Sequence, residues 1–388
     1  MSRRVVGPIG PYDVDRAGIA AWLSGDATAV GRGPTKAPSY RVDQVWDGLY
    51  TQGTPPEAWT NLPKSLRAGF AETFPSGLTE VRRSVGDGGD TTKWLWSLHD
   101  GATIETVLMI YGDRTTVCVS SQAGCAMACG FCATGQDGFT RHLTAGEIVE
   151  QVMVARQASP RRLSNVVFMG MGEPLANYGP TVAAVRRLRD EVGLSARHLT
   201  VSTVGMVPAI TRLAGEGLPV SLAISVHAAT DELRNELVPI NRRHNLKSLV
   251  DAAVAWRATT GRRVSFEWAL IDGVNDTPEQ LDALITLARR ARAHVNFIPL
   301  NPTPGWPTTG TAPAGVRAAR DRLDRAGITV TVRDTRGDDI DAACGQLASR
   351  SREQAETVAT STHTRSNPDS SSSETAVQVA PPTRSPGR

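Results

Sequence analysis

Three cysteines that lie close together carry the clearest chemical signal of this chain. Cys125, Cys129 and Cys132 occur in the run CAMACGFC, with the spacing C-x3-C-x2-C. Three thiolates on one loop suit an iron–sulfur cluster that leaves one of its irons without a protein ligand. Such an iron can bind an external chelator, so the cluster would be reactive and not only structural. The motif therefore predicts a [4Fe–4S] cluster with an open coordination site.

A structural zinc ion is the alternative metal for these cysteines. A closed zinc site takes four protein ligands, usually as pairs of Cys or His at short spacing. Cys118 and His142 are the nearest candidates for a fourth ligand, but neither has that paired spacing, and no second C-x2-C follows. The spacing thus disfavours zinc, and a zinc-stabilised RNA-binding protein without enzymatic activity is kept as the second hypothesis.

The composition indicates a globular protein of a reducing compartment. The 388 residues are 40% hydrophobic and 21% charged, which excludes collagen, a coiled coil and a chain disordered throughout. The net charge of +3 is too small to diagnose a nucleic-acid-binding protein by itself. Five unevenly placed cysteines do not form the even-numbered disulfide framework of a small secreted domain, so we expect a cytoplasmic protein. No stretch of about 18 apolar residues predicts a membrane span, and the N-terminal residues lack the apolar core of a secretory signal.

An alternation of strands and helices positions the cysteine loop. Candidate strands lie at 114–120, 165–169, 198–203, 219–226, 263–271, 293–299 and 327–333. Candidate helices lie at 144–158, 179–191, 207–215, 246–259, 277–291 and 313–326. Six successive βα units predict an α/β fold with a parallel sheet, either doubly wound or curled into an open partial barrel. In both architectures chemistry collects at the carboxyl ends of the strands, and the cysteine loop follows the first of them.

Two segments of different character flank this region. Residues 15–25, 39–52 and 62–74 have apolar residues at helical spacing, and β-like runs follow at 92–98, 102–111 and 114–120. The last residues are rich in Ser, Thr and Pro, which predicts a disordered tail. We therefore expect an N-terminal helical unit over 1–90, a core with a β-extension over 91–349, and a tail over 350–388.

The cysteine motif and its place after the first strand resemble the radical S-adenosylmethionine (radical SAM) superfamily. The aromatic Phe131 precedes the last cysteine, and GMGEP at 170–174 is similar to the superfamily's glycine-rich segment. In that superfamily the open iron chelates SAM, and one electron from the cluster releases a 5′-deoxyadenosyl radical. The resemblance implies a partial (βα)6 barrel, a [4Fe–4S] cluster and SAM as cofactors, and an electron donor such as flavodoxin or ferredoxin.

Longer segments resemble one subfamily, the dual-specificity ribosomal RNA/tRNA adenine-C2 methyltransferases. The segments are 118–139, 165–178, 201–210, 223–245, 296–305 and 335–347. This resemblance implies a monomeric enzyme that methylates C2 of adenosine in 23S rRNA, at the peptidyl-transferase centre, and in tRNA, 3′ to the anticodon. The target base must be unstacked to expose C2, so single-stranded or bulged RNA is expected. The sister activity at adenine C8 shares the cluster and the fold and stays an alternative.

The same resemblance implies roles for individual residues. Cys344 would carry the methyl group as S-methylcysteine, Cys118 would resolve a protein–RNA thioether through a disulfide, and Glu105 would accept the C2 proton. The implied SAM contacts are Gly172, Glu173, Ser202, Ser225, Val226, His227 and Asn301. Taken alone, Cys118 would be a packed strand residue and Glu105 a solvent-facing one. Arg242 and Arg243 are the best candidates for contacts to RNA phosphates.

Overall fold

One large mixed sheet forms the centre of the protein. The computed structural model describes residues 9–25, 37–303, 305–334, 336–343 and 345–347. The strands are β1 (Thr79–Gly86), β2 (Thr91–Ser97), β3 (Thr103–Ile110), β4 (Thr115–Cys118), β5 (Gln122–Gly124), β6 (Phe139–His142), β7 (Asn165–Phe168), β8 (Leu199–Thr203), β9 (Ser221–Ser225), β10 (Ser265–Leu270), β11 (His294–Pro299) and β12 (Val330–Val332). The ten-stranded sheet has the order β1-β2-β3-β4-β7-β8-β9-β10-β11-β12, and β5 pairs with β6 apart from it.

Two kinds of pairing divide the large sheet. Strands β1 to β4 are antiparallel neighbours and form the β-extension, whereas β4 and β7 to β12 run parallel. The sheet does not close on itself, because β1 and β12 are its two edges. Of the two architectures that the alternation left open, this is the open partial barrel of six βα units that the family resemblance implies, and each predicted strand of the parallel region is present.

The helices complete the βα units. They are α1 (Arg16–Ser24), α2 (Arg41–Trp46), α3 (Lys64–Thr73), α4 (Ala133–Gln136), α5 (Ala145–Ala158), α6 (Tyr178–Asp190), α7 (Val207–Ala214), α8 (Asp231–Leu237), α9 (Leu246–Thr260), α10 (Pro278–Ala291) and α11 (Pro313–Arg325). Local capping signals mark the starts of two of them clearly. Thr144 and Glu147 form a capping box at α5, and Thr277 caps α10 with proline at its first position.

Alternation along the strands separates the core from the barrel interior. In β10, Phe266 and Trp268 are fully buried in the hydrophobic core. Glu267 and Ala269 between and after them line a cavity inside the barrel. Successive side chains of a strand point to opposite faces. The apolar positions therefore hold the helices on the outside, and the intervening positions are left for the site.

The N-terminal helices pack around an aromatic cluster and attach to α5. Trp22, Phe70 and Phe74 are in ring contact, with centroids 4.9 to 6.0 Å apart. Gly146 N, at the start of α5, donates to Asp13 Oδ1 at 2.7 Å. The same unit thus stabilises the first core helix after the cysteine loop.

The strand β1 is absent from the sequence-based prediction. Its sequence, TEVRRSVG, has charged residues where an alternating strand would have apolar ones, and most of them are exposed. This composition is typical of a sheet edge, where one side of the strand faces solvent. Because β1 pairs with β2, the division placed after residue 90 falls within a β-hairpin. The proposed tail over 350–388 lies outside the described residues. None of the described helices is both long enough and apolar enough to cross a bilayer.

Candidate active site

The cysteine loop is folded tightly on its own backbone. Cys125 N donates to Gly138 O at 2.7 Å, and Cys132 N donates to Cys129 O at 3.2 Å. A Cβ atom added to Gly135 would lie 2.8 Å from the carbonyl oxygen of Cys129. Only glycine allows this approach, so the short helix α4 can lie directly against the loop. The three cysteines are thereby held in one compact turn at the mouth of the barrel.

The three thiols line a single cavity. It has about 1070 Å³ of empty space, including the part open to solvent, and Cys125, Cys129 and Cys132 all contribute to its wall. Within the described ranges, no three His, Cys, Asp or Glu side chains converge closely enough to hold one metal ion. Three soft sulfur donors spread around a cavity fit a larger group that takes one thiolate on each of three irons.

The charge state of these cysteines depends on what they bind. Burial raises the pKa of Cys125 to about 12, and it also raises the pKa of Cys129. Without a positive partner both groups would be neutral thiols, whereas metal coordination requires the thiolate. The positive charge of Arg234 lowers the pKa of Cys129 and so partly offsets its burial. The donor set therefore fits an iron cluster, whose charge would supply the remaining stabilisation.

The glycine-rich turn after β7 forms another part of the wall. Gly172 has φ +99, and a Cβ atom there would lie 2.5 Å from Cβ of Gln122. Glu173 is buried, and its carboxylate accepts hydrogen bonds from Leu175 N at 2.9 Å and Val204 N at 2.8 Å. Burial raises the pKa of Glu173 to about 7, although these hydrogen bonds act in the opposite direction. A buried carboxylate whose pKa is near 7 can accept either a proton or a hydrogen bond from an ammonium group in the cavity.

The strand ends bring four more of the predicted SAM contacts to the same cavity. These are Ser202, Ser225, His227 and Asn301. Val226 is buried and does not line the cavity, but its backbone N donates to Glu267 O at 3.0 Å and fixes the strand end. Together with Gly172 and Glu173, these four make six of the seven predicted SAM contacts that line the same cavity as the cysteines.

His227 has a defined tautomer. Its Nδ1 accepts a hydrogen bond from Ala269 N at 2.9 Å, so the ring hydrogen is on Nε2. Burial, and then the charge of Arg234, lower the pKa of His227 to about 3, so the ring is neutral. The residue has φ +57, and its ring lies edge-on to Phe131 at 4.9 Å between centroids. Phe131 thus packs between the cysteine loop and the strand ends.

Arg234 is a site residue that the sequence analysis did not identify. The side chain is fully buried, and it donates to the carbonyl oxygens of Val204, Ser225 and Val226 at 2.6 to 3.1 Å. It also donates to Asn241 Oδ1 at 2.8 Å. Burial lowers the pKa of Arg234 to about 10, which leaves it charged at neutral pH. Its position three residues before the buried Leu237, on the apolar face of α8, was the available signal.

A second, smaller cavity adjoins the first and contains Cys118. Met169, Ile298 and Asn301 line both cavities. The segment near the C-terminal end of the described chain also borders both, since Ala343 lines the cavity of Cys118 and Gly345 lines the cavity of the cysteine loop. Cys344 itself lies outside the described residues. Its two sequence neighbours nevertheless connect the two cavities.

Glu105 lies on the same face of the β-extension as Cys118. Val107 is directly opposite Cys118 in the pairing of β3 with β4, and Glu105 is two residues from Val107 on the same strand. Glu105 is buried, and its Oε1 lies 3.2 Å from Lys93 Nζ. The expectation of a solvent-facing glutamate from the residue type alone is therefore wrong. Glu105 is thus a buried carboxylate on the strand next to Cys118, two residues along from the residue opposite it.

Comparisons with known proteins agree with this geometry. Residues 119–288 match the radical SAM superfamily. The chain is 54% identical over 332 residues to a probable dual-specificity RNA methyltransferase RlmN of Parafrankia sp., which covers 80% of this chain and 86% of the relative. A protein of the same description from Streptomyces coelicolor is 48% identical over 337 residues, covering 84% and 90%. The crystal structure of a radical SAM methyltransferase from Sphaerobacter thermophilus superposes with a TM-score of 0.82 at 47% identity, covering 87% of this chain and 99% of that one.

Proposed function

The chain belongs to the radical SAM family of dual-specificity RNA methyltransferases, and we propose that it methylates C2 of adenosine in 23S rRNA and in tRNA. One observation supports this most directly. The sequence neighbours of Cys344 border both the cavity of the three cysteines and the cavity of Cys118. These contacts of Ala343 and Gly345 support a reaction in which Cys344 receives a group from SAM and is released from its product by Cys118.

We propose that Cys125, Cys129 and Cys132 hold the [4Fe–4S] cluster beside SAM. Gly172, Glu173, Ser202, Ser225, His227 and Asn301 would contact SAM from the cavity wall, with Val226 supporting them through its backbone. When bound, the cluster would supply the electron that splits SAM into methionine and a 5′-deoxyadenosyl radical. It would also accept the electron that the base later returns. An external donor of the flavodoxin or ferredoxin type would provide the first electron.

The remaining steps belong to residues of the chain. The thiolate of Cys344 would attack the methyl carbon of one SAM molecule, so a new S–C bond forms while the sulfonium S–CH3 bond breaks and S-adenosylhomocysteine leaves. The 5′-deoxyadenosyl radical would then take a hydrogen atom from this methyl group and become 5′-deoxyadenosine, and the methylene carbon would bond to C2 of adenine. Glu105 takes the C2 proton. Cys118 then attacks the sulfur of Cys344 and forms a disulfide, while the S–C electron pair goes to the methylene carbon, which takes up a proton to become the RNA methyl group.

The RNA and the cellular setting are parts of the same proposal. Arg242 and Arg243 are exposed after α8, where they could contact phosphates. We propose a monomeric enzyme of the cytoplasm, in which the thiols of Cys118 and Cys344 can be returned to the reduced state between turnovers.

Anaerobic reconstitution with iron and sulfide, followed by incubation with SAM, a reductant and RNA, tests this function. We expect a brown protein, release of 5′-deoxyadenosine, and 2-methyladenosine in the digested RNA by mass spectrometry. 8-Methyladenosine would instead establish the sister activity. A colourless zinc protein that releases no 5′-deoxyadenosine would overturn the proposal and favour an RNA-binding protein without chemistry.

A further inference from the structure

A third cavity opens on the β-extension. Residues of β1, β2 and β3 form one wall, and the segment from Asp339 to Asp341 forms the other. The cavity has about 1140 Å³ of empty space, including the part open to solvent, and its lining includes Arg82, Lys93 and Glu105. Arg82 is exposed, whereas Glu105 is buried. The cavity therefore leads from the surface to the carboxylate that we propose as the proton acceptor.

This cavity lies on the same sheet face as Cys118. Lys93 is opposite Ser84, Leu95 is opposite Glu105, and Val107 is opposite Cys118 in the registers of the extension. Residues directly opposite each other in antiparallel strands share a face. The face runs without interruption from the exposed edge strand to the thiol that we propose resolves the adduct.

From this arrangement, and resting on the proposed function, we propose that the third cavity is the entrance through which a nucleotide of single-stranded RNA reaches Glu105, with Arg82 neutralising a phosphate at its mouth. Glu105 must lie close to C2 of the base to accept its proton. The base therefore has to reach the cavity that Glu105 lines, and the sugar–phosphate backbone has to cross its mouth.

The cations of the cavity lie at different depths. Arg83 pairs with Glu80 at 2.7 Å and lies over the ring of Trp94, and alternation along β1 places it on the opposite face from Arg82. Arg82 is exposed and faces the same side as Leu95. Lys93 lies deeper, where its ammonium group pairs with the carboxylate of Glu105. Arg82 is therefore the cation placed to meet a phosphate at the mouth of the cavity.

Hydrogen bonds hold the acidic segment of the opposite wall against the hairpin. Asp339 Oδ2 accepts from Asp87 N at 3.2 Å, in the turn between β1 and β2. Asp341 contributes its backbone carbonyl, which accepts from Lys93 Nζ at 2.9 Å. Asp87 Oδ2 in turn accepts from Gly337 N at 2.8 Å. The acidic segment is thus fastened to the hairpin and forms the fixed side of the entrance.

A binding experiment on the reconstituted holoenzyme tests the entrance. The probe is a tRNA transcript, and its affinity is measured over a range of salt concentrations for the wild type, Arg82→Ala and Arg82→Lys. We expect Arg82→Ala to weaken binding several-fold and to reduce the slope of log affinity against log salt by about 0.7, the value for one phosphate contact on a single strand. Arg82→Lys should restore most of the slope. Arg317→Ala, an exposed arginine on α11, is the matched control and should leave both quantities unchanged.

The outcomes separate this inference from the proposed function. Wild-type affinity and slope in Arg82→Ala, with a loss in Arg242→Ala, would overturn the entrance and place the RNA path at the loop after α8. RNA binding that depends on Arg82 in an enzyme that forms no 2-methyladenosine would keep the entrance and overturn the proposed reaction. Iron content and unfolding temperature show that each variant is folded.

Discussion

Lys93 and Glu105 form an ion pair on neighbouring strands of the β-extension, with Lys93 Nζ 3.2 Å from Glu105 Oε1. The same ammonium group donates to the backbone carbonyl of Asp341 at 2.9 Å. Only 13% of the Lys93 side chain is exposed, so the pair is shielded from solvent and salt. One lysine therefore connects the proposed proton acceptor to the segment that leads to Cys344, and its loss should affect both.

Lys93→Met should uncouple SAM cleavage from RNA methylation. The variant removes the cation beside Glu105 and an anchor of the segment before Cys344, while the cysteine-lined cavity is untouched. We expect several-fold less methylated adenosine per 5′-deoxyadenosine and a loss of about 1–3 kcal/mol in the free energy of unfolding. Both products can be quantified in the same reaction by mass spectrometry. Lys93→Arg keeps the cation and should retain most of the coupling; wild-type coupling in Lys93→Met would refute the role of the pair.

Cys118→Ala should trap the RNA on the protein. Without the second thiol, the thioether between Cys344 and the base has no nucleophile to release it, so a covalent adduct should accumulate. A denaturing gel with labelled RNA would detect it, and mass spectrometry would locate it at Cys344. Cys344→Ala is the matched control, since it should retain iron but form no adduct. Release of free methylated RNA by Cys118→Ala would exclude Cys118 as the resolving residue.

The parallel region could be predicted from the sequence because its signals are local. Each βα unit has a run of β-branched and apolar residues followed by a helix. Two of these helices also have a side-chain cap, at Thr144 and Thr277, and the structure begins α5 and α10 one residue after these. The edge strand β1 was missed for the opposite reason. Its pairing with β2 stabilises it, whereas its own residues give no alternating pattern.

The site divides in the same way. Ser202 and His227 were named from the family resemblance, and the fold brings them to one cavity because the ends of its parallel strands meet at one edge. The partners of Glu105 and Arg234 could not be found, since they depend on strand register and on carbonyl oxygens that no residue type reveals. The orientation of Val226 away from the cavity likewise follows from alternation in β9 and the turn after it, which the motif alone does not specify.

Glu150 should make stability depend on pH at the contact between the N-terminal helices and the core. Its carboxylate accepts from Ser76 Oγ at 2.6 Å and Gly77 N at 3.0 Å, and burial raises the pKa of Glu150 to about 7. A pKa raised in the folded state means that the folded chain binds the proton more tightly. The stabilisation is therefore complete below the ordinary pKa of 4.5 and is lost as pH rises to about 7.

Glu150→Gln should remove this dependence. Between pH 4.5 and pH 7.5, we expect the free energy of unfolding of the wild type to decrease by on the order of 3 kcal/mol more than that of Glu150→Gln. Chemical denaturation at several pH values measures the difference. Glu57→Gln, at an exposed position, is the control and should follow the wild type. Parallel pH profiles for the wild type and Glu150→Gln would contradict the assignment.

Arg234 should set both the stability of the strand ends and the redox behaviour of the cluster. Arg234→Met would leave the carbonyl oxygens of Val204, Ser225 and Val226 buried without these donors, at a cost of about 1–3 kcal/mol for each one that stays unsatisfied. It would also remove a buried positive charge that acts on Cys129. Because reduction adds negative charge to the cluster, losing this cation should make the reduction potential more negative.

Arg234→Lys keeps the charge but not the fork of donors, so it should lose stability while its potential stays closer to the wild type. Arg317→Met removes an exposed arginine on α11 and is the control for losing a positive charge far from the cluster. An EPR-monitored redox titration and iron analysis of the three variants measure these effects, and an unchanged potential in a fully loaded Arg234→Met protein would show that its charge does not act on the cluster.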